Sequence, residues 1–115
     1  MPLRHRVHEG TALTNALQTL LTFGDNLVEA GAITWGFGIF NDDTVDHVVR
    51  VYIVPTGLAA GVAYLKFKGN VPAGEGVTMS GPWHNASGAF IQAISDAAVS
   101  NTSISVTATE EYAQG

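Results

Sequence analysis

The sequence predicts an all-β fold: a single-domain antiparallel β-sandwich, Ig-like or jelly-roll, of about seven to eight strands with an extended N-terminal arm. Three observations carry this expectation. Short runs alternate apolar and polar residues with a period of two, the periodicity of a strand with one buried face. Clusters of Gly, Pro, Asn and Asp separate the runs at spacings of roughly 8–12 residues, as in sandwiches and barrels. The chain of 115 residues is long enough for one domain with one modest core. The arm covers residues 1–10 and the sandwich domain residues 11–115.

The arm, Met1 to Gly10, holds two of the five basic residues and shows no period. From Thr11 to Phe23, the set Leu13, Asn15, Leu17, Thr19, Leu21 and Phe23 fits one strand face better than a clean helix, although leucines spaced at i, i+3 and i+4 also allow a short helix. Gly24-Asp25-Asn26 is a turn. The next strand begins at Gly31, with Ile33, Trp35, Phe37 and Ile39 on one face and Thr34, Gly36 and Gly38 on the other. Trp35 is thereby expected in the core. Asn41-Asp42-Asp43-Thr44 punctuates. Val45 to Val54 is β-branched on both faces, as in a central strand, and Pro55-Thr56-Gly57 ends it. Tyr64 to Lys68 reads as a short strand with lysines outward. Pro72-Ala73-Gly74-Glu75-Gly76 is a turn, Val77-Thr78-Met79 a short strand, and Gly81-Pro82-Trp83 a break. Ala89 to Ser95 places Ile91 and Ala93 on one face. In the last strand Ile104, Val106 and Ala108 face in, while Ser103, Ser105, Thr107 and Thr109 face out.

Composition narrows the function classes. Five Lys+Arg against ten Asp+Glu give a net charge of −5, unsuited to generic binding of a phosphate backbone. No nucleic acid partner is expected. The longest apolar runs fall far short of the roughly 18 residues of a spanning helix, so no membrane partner is expected either. Arg4 and Arg6 are followed by Thr11, Thr14, Asn15 and Gln18, not by the apolar core of a signal peptide. The absence of cysteine excludes disulfides and thiol chemistry. Only 13% of residues are charged, against about 25% in an ordinary soluble domain; much of the surface is therefore small and neutral.

Each catalytic or ligand motif has a plainer explanation. His5-x-x-His8 has too few neighbouring ligands for a metal. Asn41 to His47 is rich in oxygen but lacks the acid and glycine order of a calcium loop, and turn residues account for it. Asp46 and His47 are adjacent in a strand and point to opposite faces. Ser80, His84 and Asp96 supply the residue types of a hydrolase triad without a nucleophile elbow. Gly36-Phe37-Gly38 sits within a strand, where glycine marks a bulge or a close backbone approach. Asn85-Ala86-Ser87 and Asn101-Thr102-Ser103 are read as turns. No catalytic residue, cofactor site or metal site is therefore assigned, and the protein is expected not to be an enzyme. Among the aromatics, Tyr64, Phe67 and Trp83 are the candidate exposed contacts.

Several segments carry a resemblance: Val51-Tyr52-Ile53-Val54-Pro55-Thr56-Gly57; Val71 to Met79, with Pro72-Ala73-Gly74-Glu75; Gly81-Pro82-Trp83; Gly88 to Ile94, with Ile91-Gln92-Ala93; and Ile104 to Glu111. In these, from about Ile33 to Tyr112, the chain resembles small virion structural proteins of tailed bacteriophages. It departs from them at residues 84–88 and across the weakly matching first 30 residues. The resemblance implies a capsid decoration (cement) protein, homotrimeric, that binds and stabilises the major capsid protein lattice. It would sit on the capsid exterior of a virion assembled in the bacterial host cytoplasm. Arg4, His5, Arg6 and His8 are then the expected arm contacts to a neighbouring subunit. Deleting residues 1–10 is expected to leave a folded domain that no longer holds to capsids. The alternative is a tail-associated or fibre-base protein that binds a host-surface glycan or another tail protein, with Trp83 and Tyr64 as its first candidates.

Overall fold

The alternating segments form two four-stranded antiparallel sheets packed face to face. The computed structural model describes residues 3–23, 31–86 and 88–111, with the side chains of 3–5, 31 and 111 outside that description. Its strands are β1 (Leu3–Ala12), β2 (Gln18–Thr22), β3 (Gly31–Asn41), β4 (His47–Val54), β5 (Leu65–Val71), β6 (Gly76–Ala86), β7 (Phe90–Ser95) and β8 (Thr102–Glu111). A 3-10 turn, Val62–Tyr64, precedes β5. The first sheet has the order β1-β8-β3-β6 and the second β2-β7-β4-β5. The pairing is nested: β1 pairs β8, β2 pairs β7, β3 pairs β6 and β4 pairs β5. A long hairpin rolled over a common core has this pattern, which is that of a jelly roll.

The core lies between the sheets. Leu13, Phe23, Ile39, Val49, Val51, Ile91, Ile104 and Val106 are buried there, each contributing about 2 kcal/mol by removal from water. Where the strand register is unbroken, the inner residues are those the alternation predicts: Ile91 and Ala93 on β7, and Ile104, Val106 and Ala108 on β8. The β4 strand is central, between β7 and β5. Its outward positions are Val48 and Tyr52, half-buried, and Arg50, exposed. The expected turn at Gly24-Asp25-Asn26 lies outside the described residues.

Four local differences from the sequence expectation have physical causes. First, the arm expected over 1–10 is extended, but from Leu3 it is docked in the sheet as edge strand β1, in register with β8. Its pairing satisfies backbone groups that β8 would otherwise leave open, and the strand runs through the boundary drawn at residue 10. Second, β2 starts only at Gln18 and carries a register shift between Thr19 and Leu21. The shift buries both Leu20 and Leu21 and leaves Leu17 exposed.

Third, β3 shifts register between Thr34 and Gly36. The bulge moves the inward set from Ala32 and Thr34 to Phe37, Ile39 and Asn41, and it turns Trp35 outward, 49% exposed. Trp35 is therefore not a core residue, because a single inserted position reverses every later face of a strand. Gly36 fits the bulge because a Cβ there would lie 2.9 Å from the Met79 carbonyl oxygen. Fourth, Gly81-Pro82-Trp83 does not break the chain: β6 continues through it, with a cis Gly81–Pro82 bond. An edge strand tolerates a proline because its outer N–H is not needed for a ladder. Asn85, read as a turn residue, is consequently a buried strand residue that donates to Thr34 Oγ1 at 3.0 Å.

Candidate functional site

Two polar clusters lock the fold, and both use residues whose partners are distant in sequence. On β1, Arg6 lies opposite Ala108 of β8, and its Nη1 donates to Glu110 Oε1 at 2.7 Å and to the Thr22 carbonyl at 2.8 Å. Glu110 is fully buried. This latch ties the edge of the first sheet to β2, at the edge of the second. His8 hydrogen-bonds the Thr11 hydroxyl. Arg6 and His8, expected to reach a neighbouring subunit, are thus engaged within the chain; the side chains of Arg4 and His5 lie outside the described residues.

At the opposite end of β4, His47 is buried and placed between two carboxylates. Its Nε2 is 2.8 Å from Asp43 Oδ2 and its Nδ1 2.7 Å from Asp96 Oδ1. Both ring nitrogens face acceptors, so both donate in the imidazolium form. The hydrogen bonds with Asp43 and Asp96 raise the His47 pKa against the opposing effect of burial. The Asp43 carboxyl is lowered chiefly by His47, and that of Asp96 chiefly by the Val48 N–H. As the alternation predicts, Asp46 points elsewhere: it accepts hydrogen bonds from the Ala73 N–H and the Asn70 amide. Asn41 closes the loop, donating to the Val45 and Val71 carbonyls and accepting from the Asp43 N–H. Among the described residues no group of three or more His, Asp or Glu is arranged to hold a metal. The Ser95 hydroxyl also donates to Asp96 Oδ1, at 3.5 Å, and in both clusters the polar groups bridge elements distant in sequence, as structural clasps do.

The candidate aromatics are only half exposed. Trp83 stacks on Phe37 with ring centroids 5.4 Å apart, and Phe67 meets the same ring edge-on at 6.2 Å. Phe67 and Trp83 thus pack against the core. Tyr64 and Trp83 do converge, however, lining one cleft of about 270 Å³ together with Pro55, Lys66 and His84.

A third surface escapes the sequence reading. Strands β3 and β6 contain no Asp, Glu, Lys or Arg, and β8 has them only at its last two positions. The outward residues of these three strands include Ser105 and Thr107, Gly36 and Gly38, and Thr78 and Ser80, which stand side by side in register. Two adjoining hollows of about 320 and about 280 Å³ run along them and share Gly38, Thr78 and Ser105. Phe40, 47% exposed, stands at one end. Towards the other, Trp35 covers β8, its indole N–H donating to the Thr109 hydroxyl at 3.0 Å. The signal for this face was present in the outward Ser/Thr positions of β8 and in Gly36-x-Gly38, but it emerges only when the three strands are laid side by side. A scan against protein-family models finds no match to this chain, and a search of curated proteins finds none.

Proposed function

We propose that this chain is a structural virion component, a decoration (cement) protein that binds and stabilises the major capsid protein lattice of a tailed bacteriophage. The observation that carries the reading furthest is the uncharged outer face of β8, β3 and β6. Burying a charge against a partner costs desolvation unless it is paired. A shallowly hollowed face of Ser, Thr and Gly, with Trp35 and Phe40 exposed beside it, can lie against a protein lattice without that cost. Aromatic residues in such a position are the ones that anchor protein interfaces. The segment resemblance and the jelly-roll pairing support the same reading.

With β1 docked, the arm contributes to the lattice contact as an edge strand and not as a free tether. Cryo-electron microscopy of virions from the encoding phage tests the proposal. Copies of this density over the whole icosahedral lattice, with the face carrying Trp35 and Phe40 turned towards the shell, are expected. A few copies confined to the tail would overturn it.

That outcome would favour a second reading, for which the shared cleft of Tyr64 and Trp83 speaks: a tail-associated or fibre-base protein that binds a host-surface glycan. Aromatic faces beside polar groups suit sugar rings. Glycan-array binding that is lost in Trp83→Ala and Tyr64→Ala would support it; binding unchanged in both would remove this cleft from it.

A further inference from the structure

We propose that the outer face of the second sheet is a self-complementary contact for a second copy of this chain, the two copies related by a two-fold axis. Arg50 and Lys68 stand directly opposite each other on β4 and β5, and both are exposed. Like charges directly opposite on a sheet repel, and among the described residues neither side chain has an ion-pair or hydrogen-bond partner. They line a cleft of about 390 Å³ whose other walls include Val48, Ile94 and Asp96. The molecule thus displays two adjacent cations that no side chain of its own pairs with directly, with the Asp96 carboxylate on the wall of the same cleft, in a chain with a net charge of −5.

One step along the same face the sign reverses. Asp96 accepts the Val48 N–H at 3.0 Å, which fixes it beside Val48. Asp46, two positions before Val48 and exposed, is held by the Ala73 N–H at 2.9 Å. Both carboxyls have lowered pKa values, chiefly from these backbone hydrogen bonds. Reading outward along β4, the order is therefore acid, apolar, base: Asp46, Val48, Arg50.

A face with both signs at equal distances about an apolar centre complements itself. Let a second copy pack face to face, with the two-fold axis in the plane of contact and crossing the strands at the level of Val48. Each copy's Arg50 then meets the other's Asp46, with Lys68 beside it, while Val48, and Asp96 level with it just past β7, meet their own equivalents. Every contact off the axis is made twice, the defining feature of an isologous pair. A generic polyanion fits worse, since Asp46 and Asp96 border the cations and would repel it. The occupant with matched alternation is the chain itself. This pairing uses the sheet face opposite the uncharged one, so it stands independently of the virion reading. It puts a two-fold assembly where the resemblance implies a trimer.

Sedimentation velocity of the full chain, from about 10 µM to about 1 mM and at about 50 and about 500 mM salt, tests it. A monomer–dimer equilibrium is expected whose Kd weakens at least about tenfold at the higher salt. Arg50→Glu with Lys68→Glu should leave the far-ultraviolet circular dichroism unchanged and abolish the dimer; if that pair of changes impairs folding, Arg50→Ala alone should weaken it. Thr78→Lys, on the uncharged face, should leave the dimer intact. A chain monomeric at every concentration, a trimer, or a dimer that ignores salt and Arg50→Ala but is lost in Thr78→Lys would each overturn the proposal.

Discussion

Both sheets present aliphatic inner faces to one core, yet their outer faces treat charge in opposite ways. The first sheet keeps its charge pair inside: Arg6 reaches Glu110, which is fully buried, and the exterior of β8, β3 and β6 is mostly Ser, Thr and Gly, with Trp35, Phe40, Pro82 and His84 also exposed. The second sheet displays three of the five basic residues, on β4 and β5, with acids beside them. The difference teaches that the low charge content of the chain is not spread evenly. Among the described residues it gathers on the second sheet and at one loop end, with Glu9 exposed on β1, and the outward positions of β8, β3 and β6 carry no Asp, Glu, Lys or Arg, which spares them the desolvation cost of a charge in a contact.

The sharpest way to break this contrast is to disturb the internal pair. Arg6→Ala leaves Glu110 buried without its guanidinium, and removing one partner of a buried pair costs about 3 kcal/mol. Urea unfolding should show that loss as a lower midpoint with an unchanged slope. Deleting residues 1–10 should be worse, since it removes most of β1 as well as the latch and opens the edge of β8. The next effect in size concerns the bulge that turns Trp35 outward. Gly36→Ala sets a Cβ against the Met79 carbonyl oxygen at 2.9 Å, where backbone must shift, at a cost of about 2 kcal/mol. Gly38→Ala meets the Ser105 Oγ at 3.5 Å and the Thr78 Cγ2 at 3.7 Å, ordinary contacts, and should change stability by less than about 0.5 kcal/mol. Equal losses at the two glycines would show that the bulge is not what demands Gly36.

These two sites also mark where the sequence was legible and where it was not. Strands β7 and β8 could be read residue by residue because alternation within one register needs no knowledge of the partner. Trp35 and Leu20 were misplaced or missed because a bulge changes phase without changing composition. The N-terminal strand looked like an arm because its inward residues include Arg6 and His8, and the reason Arg6 can face in, Glu110, lies 104 positions away. The clasp around His47 was hidden in the same way: its local acids looked like a turn, while Asp96 is 49 positions distant. The polar groups that organise this fold are long-range pairs, and period-two patterning carries no information about them.

The clasp makes the charged end of the molecule sensitive to pH. His47 has a raised pKa in the fold, so its contribution is fully present below the unfolded value of about 6.5 and is lost as pH rises through the higher folded value. Asp43 and Asp96 have lowered pKa values, so their contribution is present above about 3.9 and is lost as pH falls through the folded values. Thermal unfolding should therefore show a plateau of Tm between these limits and a decline on either side. In His47→Gln the alkaline decline should flatten. An undiminished alkaline decline in that variant would place its origin elsewhere.

The smallest expected effect on stability is the most informative about the uncharged face. Thr78 is exposed on β6, opposite Gly38, and its outward neighbours carry no charge. Thr78→Lys adds a solvated cation to a surface that satisfies no hydrogen bond through it, so stability should move by less than about 0.5 kcal/mol. If the face lies against a capsid lattice, the same lysine must be desolvated there without a partner, and occupancy on virions should fall at least about tenfold. Lys68→Thr, on the other sheet, should leave occupancy as it was. Quantifying both variants on purified particles separates a face kept neutral for contact from one that is neutral by composition alone: equal occupancy for Thr78→Lys and the unaltered chain would assign the neutrality to composition and move the search for the lattice contact to the charged sheet.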